Sequence, residues 1–147
     1  MPNFTSPRLS LPLLAAGQAQ KEVTHNEALA LLDGLLSPMI ENATTTVPPA
    51  NPASGAAWLV ASGATGAWQG EIGRIAIATD GGWRFVSPFE GLLLWDRAQG
   101  TQRRFHNGAW VLPNNLALPA GGATIDAEAR TALANIAALL GKWGLIT

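Results

Sequence analysis

Two short turns constrain this chain more than any other part of it. Asn107-Gly108 lies between Gln102 to His106 and Ala109 to Leu112, and Asp80-Gly81-Gly82 lies between Arg74 to Thr79 and Trp83 to Val86. Asn-Gly and Asp-Gly supply the positive φ that tight hairpin turns demand, so each pair of flanking runs reads as an antiparallel hairpin. With Ala57 to Ala61 as an earlier strand and Leu92 to Trp95 leading into Gln102 to His106, residues 56–113 read as a small β-meander. Sixteen Gly and ten Pro in 147 residues suit many short strands and turns, not an all-helical protein.

The remainder divides by composition. Residues 1–14 are a Pro/Ser-rich extended arm. Residues 15–37 read as a helix in which Leu29, Leu32 and Leu36 fall on one stripe, while Leu31 and Leu35 form an adjacent row. Gly34 weakens its last turn, and Pro38 ends it by disfavouring an α conformation at Ser37. Residues 38–55 form a linker, because Pro48, Pro49 and Pro52 exclude a central strand. Residues 114–147 hold a second linker and a second helix, capped by Thr124 or Asp126 and stopped by Gly141 and Gly144.

In that last helix Ile125, Ala129, Ala132, Ile136, Leu139, Trp143 and Ile146 recur at alternating spacings of 4 and 3, a heptad seam. Leu133 and Leu140 make the apolar face wider than a two-stranded coiled coil requires. A helix of about 15 residues is marginal alone, so it must pack on something. Two readings stand at this point: it covers its own sheet, or it joins copies of itself in a symmetric bundle, a homotrimer. In the second, Leu29, Leu32, Leu36, Ile125, Ala129, Ala132, Ile136, Leu139 and Trp143 form the interface. The architecture is α+β either way: N-terminal helix, Trp-rich antiparallel meander, C-terminal amphipathic helix.

Charge and composition remove several function classes. A net charge of −1 leaves no electrostatic footprint for nucleic acid and no polybasic membrane anchor. With no Cys there is no disulfide, thiolate metal site or Cys nucleophile, and the two histidines, His25 and His106, fall short of a zinc ligand set. No metal or other cofactor is expected. The apolar run Leu11 to Gly17 is broken by Pro12 and far shorter than the roughly 20 residues of a membrane span. Read as a secretory signal, it lacks positive charge in the segment from Pro2 to Pro7.

The six Trp, against no Tyr, are the unusual part. Asp80-Gly81-Gly82-Trp83 matches Asn107-Gly108-Ala109-Trp110, and Gly66-Ala67-Trp68 is a third Gly-small-Trp, each placing Trp at the start of a strand after a turn. One reading makes these Trp the bulk of a core short of Leu and Ile. The other puts them at the sheet rim, where an indole face can stack on a sugar ring, which makes Trp68, Trp83 and Trp110 candidate glycan-binding residues. Catalytic signatures are poor. No nucleophile elbow, phosphate loop or zinc-protease motif occurs, and Thr24-His25-Asn26-Glu27 points in different directions on a helix. Asp80, Glu90 and Asp96 are the acids near the sheet, and nothing pairs them as glycoside hydrolysis would need. Arg103 and Arg104, adjacent on a strand, face opposite sides and form no joint clamp.

The stretch Gln18-Ala19-Gln20-Lys21-Glu22-Val23-Thr24-His25-Asn26-Glu27-Ala28-Leu29-Ala30-Leu31-Leu32-Asp33 resembles the opening of the family catalogued as domain of unknown function 2793. The resemblance continues through Pro52 to Gly55, Gly63 to Trp68, Gly73 to Ala76, Trp83 and Pro88 to Gly91, and covers residues 9 to 112. Relatives usually carry Tyr in the first strand where this chain has Trp58. The family occurs in alphaproteobacterial prophages and gene transfer agents. The resemblance therefore implies a virion component made in the bacterial cytoplasm: a tail fibre, baseplate or head spike without enzymatic turnover. Its implied partners are copies of itself, other particle proteins and host surface polysaccharide, with no nucleic acid and no membrane insertion. A polysaccharide-degrading spike and a stand-alone glycan-binding module are the alternatives.

Overall fold

A computed structural model describes residues 4–15, 17 and 21–146. The elements run α1 (Lys21–Leu35), β1 (Met39–Ile40), β2 (Ala57–Leu59), a 3-10 turn (Gly66–Trp68), β3 (Ile75–Thr79), β4 (Gly82–Val86), β5 (Leu93–Asp96), β6 (Thr101–His106), β7 (Ala109–Val111) and α2 (Ala127–Lys142). This is the expected α+β fold. Both hairpins form. β6 and β7 close on Asn107 and Gly108, both at positive φ, with His106 opposite Ala109. In the β3–β4 turn the positive φ falls on Gly82 alone, the pattern of a type I turn closed by a left-handed glycine.

The strands form two sheets rather than one meander. One is β2-β3-β4; the other is β1-β5-β6-β7, in which β1 runs parallel to β5. Alternation along each strand sends Ala57, Leu59, Ile75 and Ile77 from the first sheet, and Ile40 and Leu94 from the second, into one shared core. The stretch expected to be a linker carries β1 and stitches the sheets together. After pairing with β5 it turns to β2, with the Glu41 N–H donating to Ala57 O and the Leu59 N–H to Asn42 O. Pro38 precedes β1 and its carbonyl accepts from the Trp95 N–H, and the other prolines come later, at positions 48, 49 and 52, so none of them blocks these bonds.

The first helix begins at Lys21: Ala15 and Gly17 are not helical, and Ala16 and Gln18 to Gln20 lie outside the described residues. Its deepest residues are Asp33 and Gly34. A Cβ on Gly34 would stand 2.5 Å from Ile77 Cδ1, so glycine lets the helix backbone approach β3 this closely without displacing the Ile77 side chain. That contact turns Leu31 and Leu35 toward the core and leaves Leu32 and Leu36 exposed.

The N-terminal arm is fastened to this helix. Its residues fold back on themselves, with the Ser6 N–H donating to Leu11 O and the Leu13 N–H to Phe4 O. Asp33 receives the tip: the Ser6 hydroxyl and the Leu9 N–H donate to Oδ1, each at 2.6 Å, and the Arg8 N–H donates to Oδ2 at 3.0 Å. Arg8 also donates to the carbonyls of Asp33, Gly34 and Ser37 at the helix C-terminus, where the macrodipole favours a cation. Two turns earlier, the Asn26 amide exchanges two hydrogen bonds with the Leu14 backbone.

The last helix does not cover its own sheet. Asp126 caps it by accepting from the Ala129 N–H at 2.9 Å, and none of its residues is buried. It runs through Gly141 and ends in a Schellman turn, with Leu145 N–H donating to Leu140 O and Gly144 N–H to Gly141 O. Gly144 then docks on the part of β6 that β7 leaves open: its carbonyl accepts from the Gln102 N–H and the Thr101 hydroxyl. Leu112 to Asn114, where the chain leaves β7, line the same groove as Gly144 and Leu145. The stretch between is thus an arm that departs from and returns to one place, with every residue from 114 to 129 exposed. No helix among the described residues is long and apolar enough to cross a membrane.

Candidate functional site

The outer face of the β2-β3-β4 sheet gathers three tryptophans. Trp58, Val60, Ala76 and Ala78 floor a second, smaller core, which Trp83 and Phe85 flank and the 3-10 turn covers with Trp68. The Trp58 and Trp68 rings lie 6.1 Å apart, Trp58 and Trp83 5.6 Å, and Trp68 and Trp83 5.0 Å, the last two pairs nearly perpendicular. Edge-to-face packing is the favoured geometry for such rings and fixes each in orientation.

This separates the three candidate sugar platforms. Trp68 is fully buried and sits in a 3-10 turn rather than at a strand start, so it has no face to offer. Its indole N–H has no hydrogen-bond acceptor among the described residues, which makes its role that of apolar bulk. Trp110 packs against Phe105 at 5.4 Å and donates its indole N–H to Gly73 O across to the other sheet, a bond that uses its polar edge. Trp83 is half-buried. Together with Asn51, Pro52, Ser54, Thr79 and Asp80 it lines an open cleft of about 450 Å³.

The charged groups of the body are mostly engaged with one another. Asp96, fully buried, takes Arg103 Nε at 2.7 Å, so that arginine points inward while Arg104 is exposed on the opposite face. The two arginines thus face opposite sides, as strand alternation requires, and Arg103 serves the core. Glu27 pairs with Arg84, Glu41 with Arg97 and Glu71 with Arg74. Glu90 binds the His106 ring and accepts from the Asn107 N–H, bracing the β6–β7 turn; the hydrogen bond from His106 holds its carboxyl below the ordinary glutamate range. Of the three acids near the sheets, Glu90 and Asp96 are engaged and Asp80 makes no hydrogen bond or ion pair among the described residues. His25 is exposed on α1.

The expected interface residues fall into two groups. Ile125, Ala129, Ala132, Ile136, Leu139 and Trp143 are all exposed on or beside α2, Trp143 to 70%. Leu32 and Leu36 are exposed on α1, whereas Leu29 is half-buried. Two features escaped the sequence. Asn51 joins the Trp83 cleft only because the Pro-rich stretch folds back past the β3–β4 turn. Asn26 and Asp33, both within the motif that carries the family resemblance, hold the N-terminal arm. Their seven-residue spacing, two helical turns on one face, was the available signal.

A comparison with curated proteins finds no match. The profile described as protein of unknown function (DUF2793) matches residues 25–111, from α1 through the last strand, so the part of the resemblance over residues 9–24 precedes the match. The chain belongs to the DUF2793 family.

Proposed function

We propose that this chain is a structural subunit of a phage-like particle, a gene transfer agent or prophage, located in its tail fibre, baseplate or head spike. It assembles as a homotrimer through α2 and supports attachment to the host surface, with host polysaccharide as the bound partner. It turns over no substrate. The setting comes from the family resemblance; the observation that carries the assembly is the bare apolar seam of α2. Ile125, Leu133, Ile136, Leu139 and Trp143 are between 44% and 70% exposed in the single chain. Together they present on the order of 600 Å², close to the roughly 800 Å² per partner of a standard-size interface. Leu133 beside the seam favours three strands over two.

Light scattering on the purified chain at micromolar concentration tests the assembly. A trimer that Ile136→Asp with Leu139→Asp reduces to a folded monomer is the expected result; a clean monomer or dimer of the unaltered chain overturns it. Gold labelling of particles from a producing strain tests the setting, and particles that carry no label would remove it. Release of oligosaccharide from host polysaccharide would replace attachment by hydrolysis.

A further inference from the structure

We propose that the Trp83 cleft is a binding subsite for one neutral hexopyranose residue of a glycan. The proposal deepens the attachment reading above and rests on it for the source of the sugar. A pyranose ring has an apolar C–H face and a rim of hydroxyls, so its site must supply a flat apolar wall beside groups that take hydroxyl protons. The cleft has both. Trp83 is held by near-perpendicular contacts to Trp58 and Trp68, so its orientation is set before a ligand arrives and little side-chain entropy is lost on binding. Asp80 stands three residues before it at the β3–β4 turn, and Asn51 approaches from the Pro-rich stretch.

Two polar side chains of this cleft are unspent, while the Thr79 hydroxyl already donates to Gly82 O. Among the described residues neither the Asp80 carboxylate nor the Asn51 amide makes a hydrogen bond, although Glu41, Glu71, Glu90 and Asp96 around the same two sheets each have a partner. A carboxylate takes protons from two neighbouring hydroxyls, and an amide both gives and takes one. Pro52 and Ser54 complete the walls, and the volume of about 450 Å³ falls in the range of small-ligand sites. The ligand is neutral because the one uncommitted charge in the cleft is negative. Arg84, on the same hairpin, is paired with Glu27 at 2.7 Å. An acidic sugar would meet repulsion from Asp80.

The test is a titration of the ¹⁵N-labelled chain with methyl glycosides of glucose, galactose, mannose, N-acetylglucosamine and rhamnose, with methyl glucuronide as the acidic control. Concentrations up to about 50 mM reach a site with a Kd in the millimolar range. At least one neutral glycoside should move the Trp83 indole N–H signal to saturation, with the Trp68 and Trp110 signals less affected and the glucuronide silent. Asp80→Ala and Asn51→Ala, both at exposed positions, should each weaken binding about fivefold or more, the scale of one lost hydrogen bond. Trp83→Ala should abolish binding, and the two exposed variants keep the test decisive if that chain fails to fold. No Trp83 response to any neutral sugar, equal binding by both exposed variants, or tighter binding of the glucuronide overturns the proposal. Labelled particles with a sugar-silent chain would refute this site alone, whereas a sugar-binding chain absent from particles would refute the particle setting alone.

Discussion

Asp33→Asn weakens the carboxylate anchor that holds the tip of the N-terminal arm. In the native chain Oδ1 accepts two hydrogen bonds, from the Ser6 hydroxyl and the Leu9 N–H, and Oδ2 accepts one from the Arg8 N–H. Asparagine brings one acceptor oxygen. Placed where Oδ1 was, it keeps two neutral bonds and turns its NH₂ toward the Arg8 N–H, donor against donor. One charge-assisted bond of about 1.5–3 kcal/mol is lost and two others weaken by about 1 kcal/mol each. Burying an amide instead of a carboxylate returns part of this through a smaller desolvation cost. The net is about 3 kcal/mol, or roughly 150-fold in the balance between docked and released arm. Amide hydrogen exchange at Ser6 and Leu13 reads it, because those N–H groups bond within the arm rather than to Asp33. A short loop of this kind is not stable undocked, so their protection should fall by about 100-fold relative to β3. A change below about threefold would show that the arm is held by something other than the carboxylate, and the hydrogen-bond reasoning would be wrong.

Three further outcomes follow from the packing. Gly34→Ala gains about 1 kcal/mol of helix propensity but drives a methyl onto Ile77 at an overpacking cost of about 1–3 kcal/mol, so urea denaturation should show a net loss near 1 kcal/mol. Ile77→Val, which removes the atom 2.5 Å from the new Cβ, should recover most of the difference in a double-mutant cycle; additive losses would contradict the close approach. Asp96→Ala strands Arg103, only 14% exposed, and should cost about 3 kcal/mol, lowering Tm by roughly 10 °C; a shift within error would mean that Arg103 reaches solvent. The Glu90 carboxyl, followed by carbon NMR, should titrate below its ordinary value of 4.5 and return toward it in His106→Ala. Because the folded value is the lower one, the pair's contribution to stability is present above the ordinary glutamate range and is lost as pH falls through the folded value. An unshifted Glu90 in the native chain would remove the His106 bond from the account.

The hairpins were readable because turn chemistry is local: Asn107-Gly108 fixes its own backbone whatever surrounds it. The strand at Met39–Ile40 was not, since its partners, Trp95 and Asp96, lie far along the chain. On the first helix, apolar periodicity offered two neighbouring leucine rows and could not choose between them. The choice was made by Asp33 and Gly34, an acid and a glycine that no hydrophobic pattern counts as core. The three Gly-small-Trp segments look alike in sequence yet end in a sealed core, a cleft wall and a bridge between sheets. What separates them is the element each segment joins: a 3-10 turn for Trp68, a strand of the β2-β3-β4 sheet for Trp83, and a strand of the other sheet for Trp110. The heptad seam was legible as a pattern, and the structure adds that α2 does not bury it against its own sheets.

The α2 arm leaves β7 beside Leu112 and is tied back at Gly144, and β6 meets both ends, through Arg104 opposite Val111 and through Gln102 bonded to Gly144. Length and reach are thereby uncoupled from the body. Residues added between 114 and 126 would lengthen the projection without shifting the register of any strand, and residues removed would shorten it in the same way. Editing this one exposed stretch therefore sets how far α2 stands from the body, leaving both the sheets and the helical seam unchanged.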